Sequence, residues 1–219
     1  AAHGLAIEGL WGSHCVRELT VATESEGLVG PFDAVLLTVK SYDTKEMLTV
    51  VGPLTAADGC VIALQNGLGN VEQVAAAVGP NRALGGRVIF GAVVPEAGRA
   101  LVTVFADPIA LGAAVAGNGT AEALARDWAT RFAAAAVPTE YTSDLQAHLW
   151  TKVFYNAALN PLGALLGKPY GALAADVDGR ALMDGVIEEC FAVAHARGVV
   201  PLASTAAAYR DLFYGRLVP

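Results

Sequence analysis

At 219 residues, with 54% hydrophobic side chains and a positive mean hydropathy, the chain must bury a sizeable core, as one large domain or two small ones. A formal charge of −7, only four lysines and no basic stripe exclude the electrostatic footprint of a nucleic-acid binder. No apolar run reaches the ~18 residues of a membrane-spanning helix, and three widely spaced cysteines without a C-x-x-C pair suit a reducing cytoplasm and give no metal-ligand cluster.

The first part of the chain reads as strands alternating with short helices. Leu5 to Ile7 and Glu18 to Ala22 are predicted strands around a turn at Gly12-Ser13. Asp33 to Lys40 is a continuous apolar run with a polar end, the pattern of a parallel strand buried on both faces. A helix is predicted from about Thr44 to Val51. Cys60 to Gly67 repeats the design, an apolar strand running into a polar, glycine-containing loop, and a second helix follows from Val71 to Val78. Arg82 to Val94 and Ala100 to Phe105 are further strands with Gly98 in the turn between them, and Thr120 to Ala136 is helical, ending before Pro138.

After Tyr141 the pattern is helical only. Ser143 to Leu166 forms one long helix with Ser143 or Asp144 as N-cap and Pro161 as a bend. Asp178 caps a second helix that turns Leu182, Val186, Cys190 and Val193 inward and stops at Gly198. A third starts at Ser204 or Thr205. Strands first and helices afterwards imply two domains, 1–140 and 141–219.

Three places carry chemistry. Ligands of open parallel sheets bind outside the carboxyl ends of the strands, where Lys40 and the Gln65-Asn66-Gly67-Leu68-Gly69-Asn70 loop both stand. The third is the long helix. At about 100° per residue, Asn156 lies ~40° and Asn160 ~80° round from Lys152, and with a rise of ~1.5 Å per residue the three head groups form a polar row ~12 Å long. Tyr155, Leu159 and Leu162 fall on other faces. A cation flanked by carboxamides suits a small oxygen-rich anion; the same row can instead hydrogen-bond a neighbouring helix.

Taken together, Leu36-Leu37-Thr38-Val39-Lys40, Leu64 through Glu72, Gly85-Gly86-Arg87, and Leu149-Trp150-Thr151-Lys152 through Asn156 to Asn160-Pro161-Leu162 resemble the ketopantoate reductase (2-dehydropantoate 2-reductase) family, in its order and across nearly the whole chain. The resemblance implies an α/β fold: a Rossmann-type parallel-sheet domain, here incomplete, followed by an all-α domain. It implies NADPH-dependent reduction of 2-dehydropantoate to pantoate. Separately, the helical part has enough apolar surface for a homodimer interface, with Leu182 to Val193 as the candidate stretch. Lys152 then matches the catalytic lysine at the keto oxygen, Asn156 and Asn160 match substrate-binding asparagines, Asn66 stands between nicotinamide and substrate, and Lys40 and Ala92 match cofactor contacts. A further family asparagine falls on Tyr170, which leaves a related reductase of another branched 2-oxo acid as an alternative. The family's opening strand and Gly-x-Gly-x-x-Gly turn, which receives the pyrophosphate at a helix N-terminus, are not among these residues, nor is its acidic substrate-binding residue. The expectation is a natural polypeptide longer at both ends, by roughly 20–30 residues at the front for a typical Rossmann unit. A non-catalytic module on the same scaffold is the reading from a different class.

Overall fold

The structure is a computed structural model that describes residues 4–23 and 27–217. The chain forms two compact units, one through Leu145 and one from Gln146.

The first unit is built on one sheet. Strand β1 (Leu5–Gly9) turns back into β2 (His14–Val16), an antiparallel pair. Gly9 and Gly12 take positive φ of 104° and 87° at the corner, a backbone region that glycine enters without steric penalty. The predicted partner at Glu18 to Ala22 is not a strand. Pairing Ile7 with His14 and Leu5 with Val16 uses the whole of β1 before residue 18 is reached.

Strand β3 (Phe32–Leu37), helix α1 (Thr44–Leu54), strand β4 (Thr55–Ala63), helix α2 (Asn70–Val78) and strand β5 (Ala83–Glu96) form two consecutive parallel crossovers. Strand β6 (Arg99–Ala113) returns antiparallel to β5 after Gly98, followed by helix α3 (Gly119–Ala134) and strand β7 (Thr139–Tyr141). The sheet order is β2-β1-β6-β5-β4-β3. Strand β6 is long enough to take two parallel neighbours on one edge, β1 along Arg99–Val102 and β7 along Ile109–Leu111. Strand β7 sits in the stretch read from sequence as an interdomain joint; three residues are too few to show a period.

Burial follows from this order. Central β4 has Cys60, Val61 and Ile62 fully buried. On one face Cys60, Ile62, Leu84 and Leu111 pack against Ala121, Ala125 and Ala129 of α3, whose small side chains let the helix lie close to the strands. Strand β3 was expected to be buried on both faces, yet only Leu37 is buried, while Phe32 and Leu36 are 36% and 45% exposed. Among the described residues β3 pairs with β4 alone.

The second unit comprises most of α4 (Leu145–Leu166), then α5 (Tyr170–Ala175), α6 (Val177–Ala196) and α7 (Ala206–Leu217). Helix α4 runs on past Pro161. The cap of α6 is Asp176 rather than Asp178: its carboxylate accepts from the Gly179 amide at 2.8 Å. The buried stripe of α6 is Met183, Ile187, Phe191 and Ala194, one residue round from the expected Leu182–Val186–Cys190–Val193. The bulkier side chains win the interior, where Phe154 lies 4.8 Å from Phe191 and 5.7 Å, edge-on, from Tyr209. Leu182 and Val193 are left more than half exposed. No helix among the described residues is long and apolar enough to cross a membrane.

Candidate active site

The two loops at the carboxyl ends of β3 and β4 lie side by side, as adjacent parallel strands require. After β3 the chain passes exposed Lys40 into a single 3-10 turn, Ser41–Asp43, closed by the Asp43 amide on the Lys40 carbonyl at 2.9 Å. After β4 it passes half-buried Gln65 and exposed Asn66, then Gly67 and Gly69, both at positive φ. A Cβ added at either glycine would find no heavy atom within 4 Å, so the glycines serve the turn and leave the backbone open to close approach. The loops are joined by hydrogen bonds: the Ser41 hydroxyl donates to the Asn66 carbonyl at 2.9 Å, and the Asn70 amide nitrogen donates to the same carbonyl at 3.1 Å.

Ala92 lies farther along β5, opposite Val102 of β6 and past the last residue that β5 pairs with β4. Lys40 and Asn66 are therefore brought together by the topology, while Ala92 is set apart along the sheet.

In the second unit, Lys152, Asn156 and Asn160 share one side of α4, with Lys152 and Asn156 part-buried and Asn160 exposed. The opposite side carries the apolar anchors: Phe154 and Ala158 are fully buried, and Tyr155 and Leu162 pack against the same core. Thr151, next to Lys152, ties this segment down. Its hydroxyl accepts from the Leu202 amide at 3.1 Å, and its carbonyl accepts from the Tyr209 hydroxyl at 3.1 Å. Burial pushes the Tyr209 hydroxyl well above the usual phenol range, with Tyr155 adding to the shift and Arg216 opposing it, so it stays a protonated donor.

Two sets of contacts were not legible in the sequence. Tyr170 donates its hydroxyl to Asn160 Oδ1 at 2.8 Å while its ring stands edge-on to Tyr155 at 6.3 Å. Ser41, Thr44, Gln65 and Asn70 form a polar cluster behind the two loops. Asn70 is a polar residue at the first turn of an apolar helix, but nothing local distinguishes it from an ordinary cap.

The residues of the first unit suit a dinucleotide. They offer a cation, an exposed carboxamide and open glycine backbone at the ends of two neighbouring parallel strands, and the Gln65 Oε1 is buried without a hydrogen-bond partner. The chain joins a Rossmann-type sheet unit to a helical unit that bears a lysine–asparagine row. Residues 1–115 match the family model described as Ketopantoate reductase PanE/ApbA, and residues 144–213 match Ketopantoate reductase PanE/ApbA C terminal. The chain belongs to the ketopantoate reductase family.

The 2-dehydropantoate 2-reductase of Aquifex aeolicus is 35% identical over 217 residues, which is 98% of this chain and 68% of that protein. A crystal structure of 2-dehydropantoate 2-reductase from Geobacter metallireducens superposes with a TM-score of 0.86 at 28% identity, covering 99% of this chain and 70% of that one. The fold is also shared, with a TM-score of 0.84 at 18% identity, by D-mandelate dehydrogenase in a ternary structure with NADH and anilino(oxo)acetate, over 99% of this chain and 67% of that one. The chain spans between 53% and 68% of the length of three curated relatives that it matches.

Proposed function

We propose that this chain carries out NADPH-dependent reduction of 2-dehydropantoate to pantoate. The observation that carries the reading is the row of Lys152, Asn156 and Asn160 on the side of α4 turned away from its aromatic core, in a chain of this family. A bound nicotinamide cofactor supplies the hydride. The protein's part is electrostatic and geometric. Reduction of a ketone builds negative charge on its oxygen, and a preorganised ammonium at that oxygen stabilises the charge as it develops. Lys152 takes that role and delivers the proton that completes the alcohol. Asn156 and Asn160 orient the substrate's carboxylate and hydroxyl oxygens. Lys40, Asn66 and Ala92 contact the cofactor, with Asn66 also meeting the substrate.

Loss of NADPH absorbance in the presence of 2-dehydropantoate tests the assignment. Lys152→Met should lower turnover by about 10²–10⁴-fold, the range for loss of a general acid, with an unchanged melting midpoint. Undiminished turnover would remove the mechanism.

One observation favours a second reading, a reductase of another branched 2-oxo acid. The Tyr170 hydroxyl engages Asn160 at the position where the family carries an asparagine. A panel of 2-oxo acids run on the unsubstituted protein and on Tyr170→Asn separates the two. Under the first reading 2-dehydropantoate gives the highest kcat/KM in both; under the second it does so only after the substitution.

A further inference from the structure

Behind the two loops lies a polar cluster whose centre is buried. Thr44, the first residue of α1, is fully buried, and Asn70, the first residue of α2, is 3% exposed. Asn70 donates to the Asn66 carbonyl at 3.1 Å and to Ser41 Oγ at 3.3 Å. Thr44 donates to Asn70 Oδ1 at 3.1 Å, and Gln65 donates to Thr44 Oγ1 at 3.0 Å.

The direction of every bond in this set follows from one fixed group. The Asn66 carbonyl can only accept. It therefore turns the Asn70 amide so that nitrogen faces the loop and oxygen faces Thr44. The Thr44 hydroxyl must then donate its single proton to that oxygen, and it can only accept from Gln65, whose amide nitrogen is thereby turned inward. Ser41, having given its proton to the Asn66 carbonyl, likewise accepts from Asn70. One arrangement of protons makes all of these bonds together.

We propose that Thr44 and Asn70 are positioning residues for dinucleotide binding, a latch that holds the Lys40–Ser41 turn and the Asn66 loop in one fixed relation. The inference rests on the functional reading above. Each loop is glycine-rich or a single turn and would otherwise lose conformational freedom on meeting the ligand; the latch removes that freedom beforehand, which is preorganisation. Deletion of one member leaves a buried donor or acceptor without a partner, so both loops should loosen together.

The test compares Thr44→Val, which keeps the shape and removes the hydroxyl, with Thr44→Ser, which restores it. Val74→Ala serves as control: Val74 is fully buried on α2 and makes none of these bonds. Amide hydrogen exchange is read without ligand, and NADPH affinity by fluorescence titration. Thr44→Val should speed exchange at both 41–43 and 66–70 and weaken NADPH binding about tenfold, the equivalent of one unsatisfied buried group. Thr44→Ser should return both to within about twofold, allowing for the lost methyl. The latch is overturned if exchange rises at one loop only or at neither, or if Val74→Ala, at an equal loss of melting temperature, weakens NADPH binding as much. Failure of the unsubstituted protein to bind NADPH overturns the functional reading and the ligand assigned here, whereas the exchange result judges the latch by itself.

Discussion

Gly85 gives the sharpest quantitative expectation for the first unit. It is buried on β5 beneath the first turn of α2, and a Cβ placed on it would fall inside the Val71 side chain and 2.8 Å from Leu145 Cδ2. Val71 is 3% exposed and Leu145 equally so. Val71 is β-branched, and in a helix such a residue has essentially one χ1 well, so it cannot swing aside; the start of α2 must move. Gly85→Ala should therefore cost about 1–3 kcal/mol, the usual range for overpacking a filled core. In a unit of this size that lowers the melting midpoint by roughly 2–12 °C. The same substitution at Gly185 should act with opposite sign. Gly185 lies within α6, is exposed, and has nothing within 4 Å of an added Cβ, so Gly185→Ala should gain about 0.5–1 kcal/mol from backbone entropy. Denaturant unfolding of both variants gives the magnitudes, and the double variant Gly85→Ala/Val71→Ala isolates the cause. If the clash sets the cost, removing the Val71 methyls relieves it, and the double variant should be at least about 1 kcal/mol more stable than additivity requires. Strict additivity would refute the reasoning, because the penalty would then come from somewhere other than the α2 contact.

Thiol chemistry should follow burial. Cys60 is fully buried, and burial pushes its thiol up to about 12, with Arg82 opposing the shift and Asp127 adding to it; the thiolate is the reactive form, so Cys60 should resist a disulfide reagent until the protein unfolds. Exposed Cys15 should react at once, and half-buried Cys190, raised by burial and then by Glu189, should react slowly. Three rapid equivalents in the native protein would contradict this. In the second unit, Tyr209→Phe removes the hydroxyl that reaches the Thr151 carbonyl but keeps the ring against Phe154 and Phe191. The loss in denaturant unfolding should be about 0.5–1.5 kcal/mol, since the carbonyl keeps its helical amide partner. A loss of about 3–5 kcal/mol, the range for deleting a whole aromatic side chain, would mean that the bond does more than the geometry allows.

The legible parts of the sequence were those governed by a local period. The α4 row repeats every four residues and its apolar anchors fall on the other side, so the local period alone separates the two faces. The parallel crossovers were legible for the same reason: an apolar strand, a glycine-containing loop and a helix recur in order. The misreadings came from facts outside the local window. Which of two adjacent apolar stripes on α6 faces inward depends on Phe154 and Tyr209, far along the chain. Tyr170 meets Asn160 only because α5 folds back on α4, and the Thr44–Asn70 bond spans 26 residues.

Asn66 and Asn70 show why composition alone could not separate structural from functional polar residues. They are the same residue type four positions apart, one in the loop and one opening α2, and only the resemblance, not local sequence, sets them apart. Burial decides between them. A buried amide must find partners inside the protein, and Asn70, 3% exposed, engages its oxygen with Thr44 and its two donors with Ser41 and Asn66. Asn66 is engaged in this network through its backbone carbonyl, and its side chain stands exposed. The second unit divides the work the same way: Tyr209 is buried and holds the backbone at Thr151, and the neighbouring Lys152 and Asn156 keep part of their surface toward solvent. In each unit a buried polar residue fixes the main chain from behind and an adjacent, more exposed one presents its head group, so a substitution at the first kind should change affinity through geometry and one at the second should change chemistry directly.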